Sequence, residues 1–274
     1  METVFLGRTG IGVPRLCVGG WQAAGWQSSS DKTFTSMLEY ALERGLYFID
    51  TAPAYGKGRS EELIGKVIKG RRDKVVLATK FFFNESTPTR MRSALEGSLR
   101  RLGTDYIDLY QQHWPPKTPP LMETLTELER LKSEGKIRAI GVSNWMEPEW
   151  SEVDDPARVE CLQPCYSLLW RVVEREVLPL CRRYNIAVIP YSPLCQGILA
   201  GRFKDLKDVP SAPSDPRRQN IRLRPENIDA TRRVVLVLEE VAVRYGKTPA
   251  QCALRWLLQP VSYTHLTLPT IYSV

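Results

Sequence analysis

The sequence predicts an α/β protein, a parallel (β/α)8 TIM barrel with an N-terminal hairpin, from three observations. Strand-like and helix-like segments alternate from residue 15 to about residue 260. The strand-like runs, such as 47–55, 75–80 and 106–113, are short, unbroken and rich in β-branched and aromatic residues, as strands covered on both faces are. The segment after Cys17, Val18-Gly-Gly-Trp-Gln-Ala, lacks the Gly-x-Gly-x-x-Gly spacing that opens a dinucleotide-binding open sheet. Of the two folds that repeated right-handed β-α units build, the closed barrel is therefore expected.

The elements follow in order. Residues 6–13 place two short apolar arms around a Thr-Gly turn, a hairpin able to plug the base of a barrel. A strand over 15–20 precedes a helix over 31–43; the strand ending at Asp50 precedes a helix opening at Ser60; the strand ending at Lys80 precedes a helix capped by Thr87-Pro88. In that last helix Met91, Leu95, Leu99 and Leu102 recur at three- and four-residue steps, the period of one buried face. The strand before His113 leads to a helix carrying Leu125, Leu128 and Leu131. Strands over 137–144 and 160–166, a helix over 174–184 and a strand over 186–193 follow. A long irregular stretch at 201–225, with Pro210, Pro213, Pro216 and Pro225, separates these from two helices over 226–245 and 249–259.

The chain is read as one barrel domain, 1–260, with a tail at 261–274. That tail reads like translated adapter sequence, so the eighth strand is expected to be missing or replaced by non-native residues; a polar-alternating eighth strand is the alternative. His265 is discounted with it.

Composition excludes several classes. Hydrophobic content of 43% and charged content of 25% are ordinary for a globular chain, and no apolar run approaches the roughly 20 residues that cross a bilayer. The start, Met1-Glu-Thr-Val-Phe-Leu-Gly-Arg8, has neither the basic opening nor the apolar core of a secretory signal, so a cytoplasmic location and no membrane partner are expected. Six scattered cysteines and only two histidines leave no metal-ligand spacing, and reduced, mostly buried thiols are expected. The net charge of +7 comes from basic and acidic residues interleaved along the chain, so no nucleic-acid partner is expected and a phosphate-bearing small molecule suffices. Oligomeric state is not legible.

The candidate chemistry lies at the strand ends, where parallel barrels gather their sites. Asp50, Tyr55, Lys80 and His113 follow three consecutive apolar runs. Reducing a carbonyl needs hydride on carbon and a proton on the oxygen. A phenol titrating near 10 is a poor proton-transfer group at neutral pH unless a neighbouring cation favours its anion. Lys80 is the candidate cation, Asp50 its carboxylate partner, and His113 a hydrogen-bond donor to the carbonyl oxygen.

With these residues in hand, the chain resembles the aldo-keto reductases. The resemblance rests on residues 48–56 with Arg59-Ser-Glu-Glu62, Ala78-Thr-Lys80, Leu109-Tyr-Gln-Gln-His113, Gly141-Val-Ser-Asn144, Leu162-Gln163 and Tyr191-Ser-Pro-Leu194, which run in the family's order. It implies a catalytic tetrad of Asp50, Tyr55, Lys80 and His113. It implies that Ser143, Asn144 and Gln163 hold a nicotinamide carboxamide, that Tyr191 stacks on the ring, and that Ser192, Leu194 and Gly197 line the pyrophosphate, with the basic loop at Arg217 and Arg218 closing over it. Trp21, Trp114 and Trp145 follow strand ends and are expected to wall an apolar pocket for a small carbonyl substrate. The implied cofactor is NADP, with NAD possible because the segment that grips the 2′-phosphate in the family is not recognised here. Two other readings stay open: a cofactor-binding regulatory subunit, and Schiff-base chemistry at Lys80.

Overall fold

A computed structural model describes residues 2–24, 30–210, 215–259 and 266–269. Among them, β1 (Thr3–Phe5) and β2 (Gly12–Pro14) pair antiparallel, Val4 opposite Val13, and form the expected hairpin. The second sheet has eight strands, all parallel. In chain order they are β3 (Leu16–Gly19), β4 (Phe48–Asp50), β5 (Val76–Phe81), β6 (Ile107–Gln112), β7 (Ile137–Ser143), β8 (Cys161–Gln163), β9 (Ala187–Val188) and β10 (Leu266–Pro269). Each of β3 to β8 pairs with the next strand of the chain, and β10 lies outside β3.

The sheet curls. Cys17, Phe48, Ala78, Leu109, Ala139, Cys161 and Ala187, one from each of β3 to β9, share a single apolar cluster with Leu6, Ile11 and Val13 of the hairpin. In a flat sheet β3 and β9 would lie about 29 Å apart, six inter-strand spacings. The hairpin's apolar residues therefore close one end of a filled interior, as proposed from residues 6–13.

Helices cover the outside between strands. The first, α1 (Asp31–Glu43), starts where Ser30 Oγ accepts the Thr33 N–H and buries Phe34, Leu38 and Ala41. Then come α2 (Arg59–Ile68) and α3 (Pro88–Leu102); α3 buries the expected Met91, Leu95, Leu99 and Leu102 and stops at Gly103, whose φ of 65° an L side chain rarely adopts. Next is α4 (Leu121–Ser133), which buries Leu125, Leu128 and Leu131, and α5 (Glu147–Ser151) is one short turn. The helix expected over 174–184 is instead two pieces, α6 (Val173–Glu176) and α7 (Leu178–Arg183), meeting at Val177. Pro179 is the cause: it has no N–H for the Arg175 carbonyl, and its ring crowds that oxygen. The strand expected over 186–193 shrinks to the two residues of β9 because Pro190 and Pro193 cannot extend a ladder.

The described residues fall into two compact units. The first takes them from Met1–Pro164, Val172–Tyr191 and Tyr263–Val274; the second from Cys165–Arg171 and Ser192–Ser262. In the second unit α8 (Pro225–Tyr245) and α9 (Pro249–Leu258) pack Ile228, Val235, Leu238 and Ala253 against Leu194, Ile198, Leu199 and Phe203. Thr248 and Gln251 cap α9 reciprocally, side chain to backbone in both directions.

The eighth sheet position is filled by part of the tail. Leu266 to Pro269 run parallel to Leu16 to Gly19, residue for residue. No ladder joins β10 to β9 among the described residues. Residues 261–265, with His265, and 270–274 lie outside the described residues.

Candidate active site

Three neighbouring strands of the first unit deliver the four predicted side chains to one place. The register sets Asp50 of β4 beside Ala78, and Lys80 of β5 beside Gln111 of β6. His113 is one residue past β6, its N–H held by the Phe81 carbonyl at 2.9 Å. Tyr55 comes from the turn after β4, where Gly56, Lys57 and Gly58 all take positive φ and swing the chain into α2. At Gly58, with φ of 90°, an added Cβ would sit 2.6 Å from the Arg101 side chain, so this turn tolerates no side chain there.

Lys80 is fully buried, and among the described residues its bonds go to this group. Its Nζ donates to Asp50 Oδ2 at 2.6 Å, to the Thr51 carbonyl at 2.9 Å and to Tyr55 Oη at 3.4 Å. It also lies 5.2 Å from the centre of the Tyr55 ring. His113 meets Tyr55 edge to face at 5.8 Å between ring centres and Phe82 in the same manner at 5.7 Å. The other carboxylate oxygen, Asp50 Oδ1, accepts two amide N–H groups, from Gln111 and Gln163, each at 2.9 Å.

The electrostatics follow from burial and charge. Burial works against the Lys80 ammonium, yet Asp50, helped by Tyr55, outweighs it and raises the lysine above its ordinary value, so the charge stays. For Tyr55, burial is the largest influence and raises the phenol; Lys80 pulls it down, Asp50 pushes it up, and the net direction is up. Lys80 does favour the phenolate, but desolvation outweighs it and the phenol keeps its proton. Burial, and then the Lys80 charge, push His113 down to about 3, so the imidazole is neutral at physiological pH. Four cysteines are buried, as expected, and burial raises their thiols, Cys181 to about 12.

The residues implied to hold a cofactor divide between the units. In the first, Ser143 Oγ donates to the Gln163 carbonyl at 2.8 Å and accepts from Asn144 Nδ2 at 3.0 Å. Asn144, at φ of 62°, also donates to the His113 carbonyl at 3.0 Å, while its Oδ1 accepts from Tyr191 Oη at 2.8 Å. The four residues thus form one hydrogen-bonded ledge reaching His113. Gln163 commits its Nε2 to Asp50, and among the described residues no hydrogen bond reaches its Oε1. An aromatic ring and an amide acceptor beside a neutral imidazole are suited to a nicotinamide carboxamide. In the second unit Ser192 has φ of 54° and Gly197 φ of 100°, in a tight turn where the Cys195 N–H bonds the Ser192 carbonyl. Leu194 is buried in that unit's own core. Arg217 pairs with Asp215.

Of the three tryptophans, Trp21 and Trp114 are exposed just past β3 and β6. Trp145 is a correction. It is fully buried, gives its indole N–H to Gln112 at 2.8 Å and stacks edge-on against Trp150, so it packs the interior rather than walling a pocket.

Sequence reasoning missed Gln111, Gln112 and the Thr51 carbonyl. The one available signal was a pair of adjacent glutamines at the end of a buried strand.

An ammonium clamped by a carboxylate and touching a protonated phenol, at the C-terminal ends of parallel strands, defines an acid–base oxidoreductase class of site. The comparisons agree. The aldo/keto reductase family profile matches residues 15–269. An aldo-keto reductase of Bacillus subtilis is 37% identical, over 94% of this chain and 81% of its own length. A protein of Escherichia coli named NADH-specific methylglyoxal reductase is 35% identical, over 94% and 86%. The structure of a glycerol dehydrogenase from Gluconobacter oxydans superposes with a TM-score of 0.87 at 31% identity, over 97% of this chain and 85% of that one. An aldo/keto reductase from Klebsiella pneumoniae, solved with NADP and acetate, gives 0.78 at 31%, over 97% and 84%. The chain belongs to the aldo-keto reductase family, whose chemistry is the NAD(P)-dependent interconversion of carbonyls and alcohols.

Proposed function

We propose that the chain reduces a small aldehyde or ketone, with Tyr55 as the proton donor to the carbonyl oxygen. The observation that carries this is the 3.4 Å contact between Lys80 Nζ and Tyr55 Oη, with Asp50 on the far side of the ammonium at 2.6 Å. A bound nicotinamide cofactor supplies the hydride. Tyr55 gives its proton to the developing alkoxide, and the Lys80 charge stabilises the phenolate left behind. His113, neutral and beside Tyr55, offers one N–H to the same oxygen and positions the carbonyl. Asp50 keeps Lys80 charged and oriented.

Ser143, Asn144, Gln163 and Tyr191 are the residues of the first unit that would hold the carboxamide. NADP is the proposed cofactor, supported by the Klebsiella pneumoniae relative; the name of the Escherichia coli relative keeps NAD beside it. The proposal includes the family's closed (β/α)8 barrel, supported by the interior that β3 to β9 share, and a cytoplasmic setting. Among the described residues no helix is long and apolar enough to cross a membrane.

The test is oxidation of NADPH and NADH by the chain across a panel of small aldehydes and ketones. Turnover is expected with at least one carbonyl. Tyr55→Phe should lower kcat by about 100- to 10,000-fold. A Tyr55→Phe variant within threefold of the parent would remove Tyr55 from the reaction.

A further inference from the structure

Asp50 has two oxygens with separate duties. Oδ2 receives the Lys80 ammonium; Oδ1 receives amide N–H groups from Gln111 and Gln163. Gln163 belongs to the ledge that runs from Ser143 through Asn144 to Tyr191, whereas among the described residues the side chain of Gln111 bonds only Asp50.

Gln111 is costly where it stands. It is fully buried, and among the described residues its Oε1 finds no hydrogen-bond partner. An amide with an unmet acceptor in an apolar interior is unfavourable, and an unbranched apolar side chain of equal length would fill the same space without that cost. The fold also makes room for it: a Cβ on Gly141, directly across the β6–β7 ladder, would lie 2.7 Å from Gln111 Cγ. Packing accounts for the cleared glycine, which any side chain with a Cγ at this position needs, but not for the amide. The bond to Asp50 accounts for the amide.

We propose that Gln111 is a positioning residue for the proton relay, holding Asp50 Oδ1 so that Oδ2 stays on Lys80. The inference rests on the reading of Tyr55 as proton donor. Its amide N–H also offsets part of the carboxylate charge that Tyr55 feels. Tyr55 faces Lys80 and Asp50, meets His113 edge to face, and lies within electrostatic reach of Cys17. Without the Gln111 donor, Asp50 acts on the phenol as a stronger negative charge and is freer to rotate off Lys80.

Gln111→Met keeps the length and removes the donor. With NADPH and a carbonyl that the parent turns over, kcat should fall by about ten- to a hundredfold, the range for a hydrogen bond to a charged group. KM and the Kd for NADPH should stay within about twofold, because no ligand contact is lost. The alkaline limb of the kcat profile for reduction, which marks loss of the Tyr55 proton, should move to higher pH. Gly141→Ala, which displaces the Gln111 side chain without altering it, should move the limb the same way and serves if the first variant does not fold. Parent-like kcat and an unmoved limb overturn the proposal, as does a kcat loss that comes with weakened NADPH binding and no movement of the limb. Tyr55→Phe run alongside separates the two readings: if it is inactive while Gln111→Met is parent-like, only the role of Gln111 fails.

Discussion

Two ion pairs with buried carboxylates lie close together in the first unit, built alike and used differently. Lys80 meets Asp50 at 2.6 Å, and Arg101 of α3 meets Glu61 of α2 at 2.6 Å. Both carboxylates are buried, and each has its second oxygen satisfied: Asp50 by the amides of Gln111 and Gln163, Glu61 by the Thr79 hydroxyl at 2.7 Å. The difference lies in what else the cation touches. Arg101 spends a further N–H on Ser98, three residues earlier in its own helix. Lys80 spends one on Tyr55, a group that can give up a proton. A buried ion pair is therefore not itself a mark of function; the titratable third group is. The chemistry of the cations fits these duties, since a guanidinium fork fixes geometry while an ammonium is a compact charge.

Both pairs should prove structural when broken, and stability is the largest effect the comparison predicts. Lys80→Met strands Asp50 as an uncompensated buried charge and should cost about 3–5 kcal/mol in urea unfolding. Arg101→Met strands Glu61 but should fall at or below the low end of that range, because its side chain is 30% exposed and water screens the pair. Equal losses would erase the distinction in burial. Thr79→Val, which leaves Glu61 Oε1 without its donor, should cost about 1–3 kcal/mol and leave kcat unchanged. A drop in kcat there would tie the second pair to the chemistry after all.

Titration sharpens the contrast further. His113 sits near 3 in the folded chain and near 6.5 when unfolded, so between those values the unfolded state binds more protons. Its contribution favours folding above that window and is lost as pH falls through it. His113→Asn should flatten the fall in Tm between pH 6 and pH 4, as about one proton's worth of linkage disappears. In the parent, the kcat profile should show no limb near 6.5. A limb there would mean that the imidazole carries charge in the reaction.

Much of this site was legible because strand ends are legible. Asp50, Lys80 and His113 each close an apolar run, and the β5–β6 register brings those ends together. Partner choice was not legible. Gln111 and Gln112 are adjacent in sequence, yet alternation along β6 sends one to Asp50 and the other to Ser86 and Trp145. Trp145 looked like a pocket wall because it follows a strand end, and nothing local showed that Gln112 would receive its N–H. The net direction of the Tyr55 shift was equally hidden: the cation could be guessed from Lys80, but the depth of burial that outweighs it could not. Among the helices, the segment 174–184 was expected as one piece, without the break that Pro179 imposes.

The two pairs also provide the most direct test. Stopped-flow hydride-transfer rates for Lys80→Met and Arg101→Met, measured side by side on folded protein saturated with NADPH and a carbonyl substrate, address the central claim. The account predicts a fall of about 100-fold or more for Lys80→Met and a change of less than about threefold for Arg101→Met. Equal rates in the two variants, at either level, would contradict it.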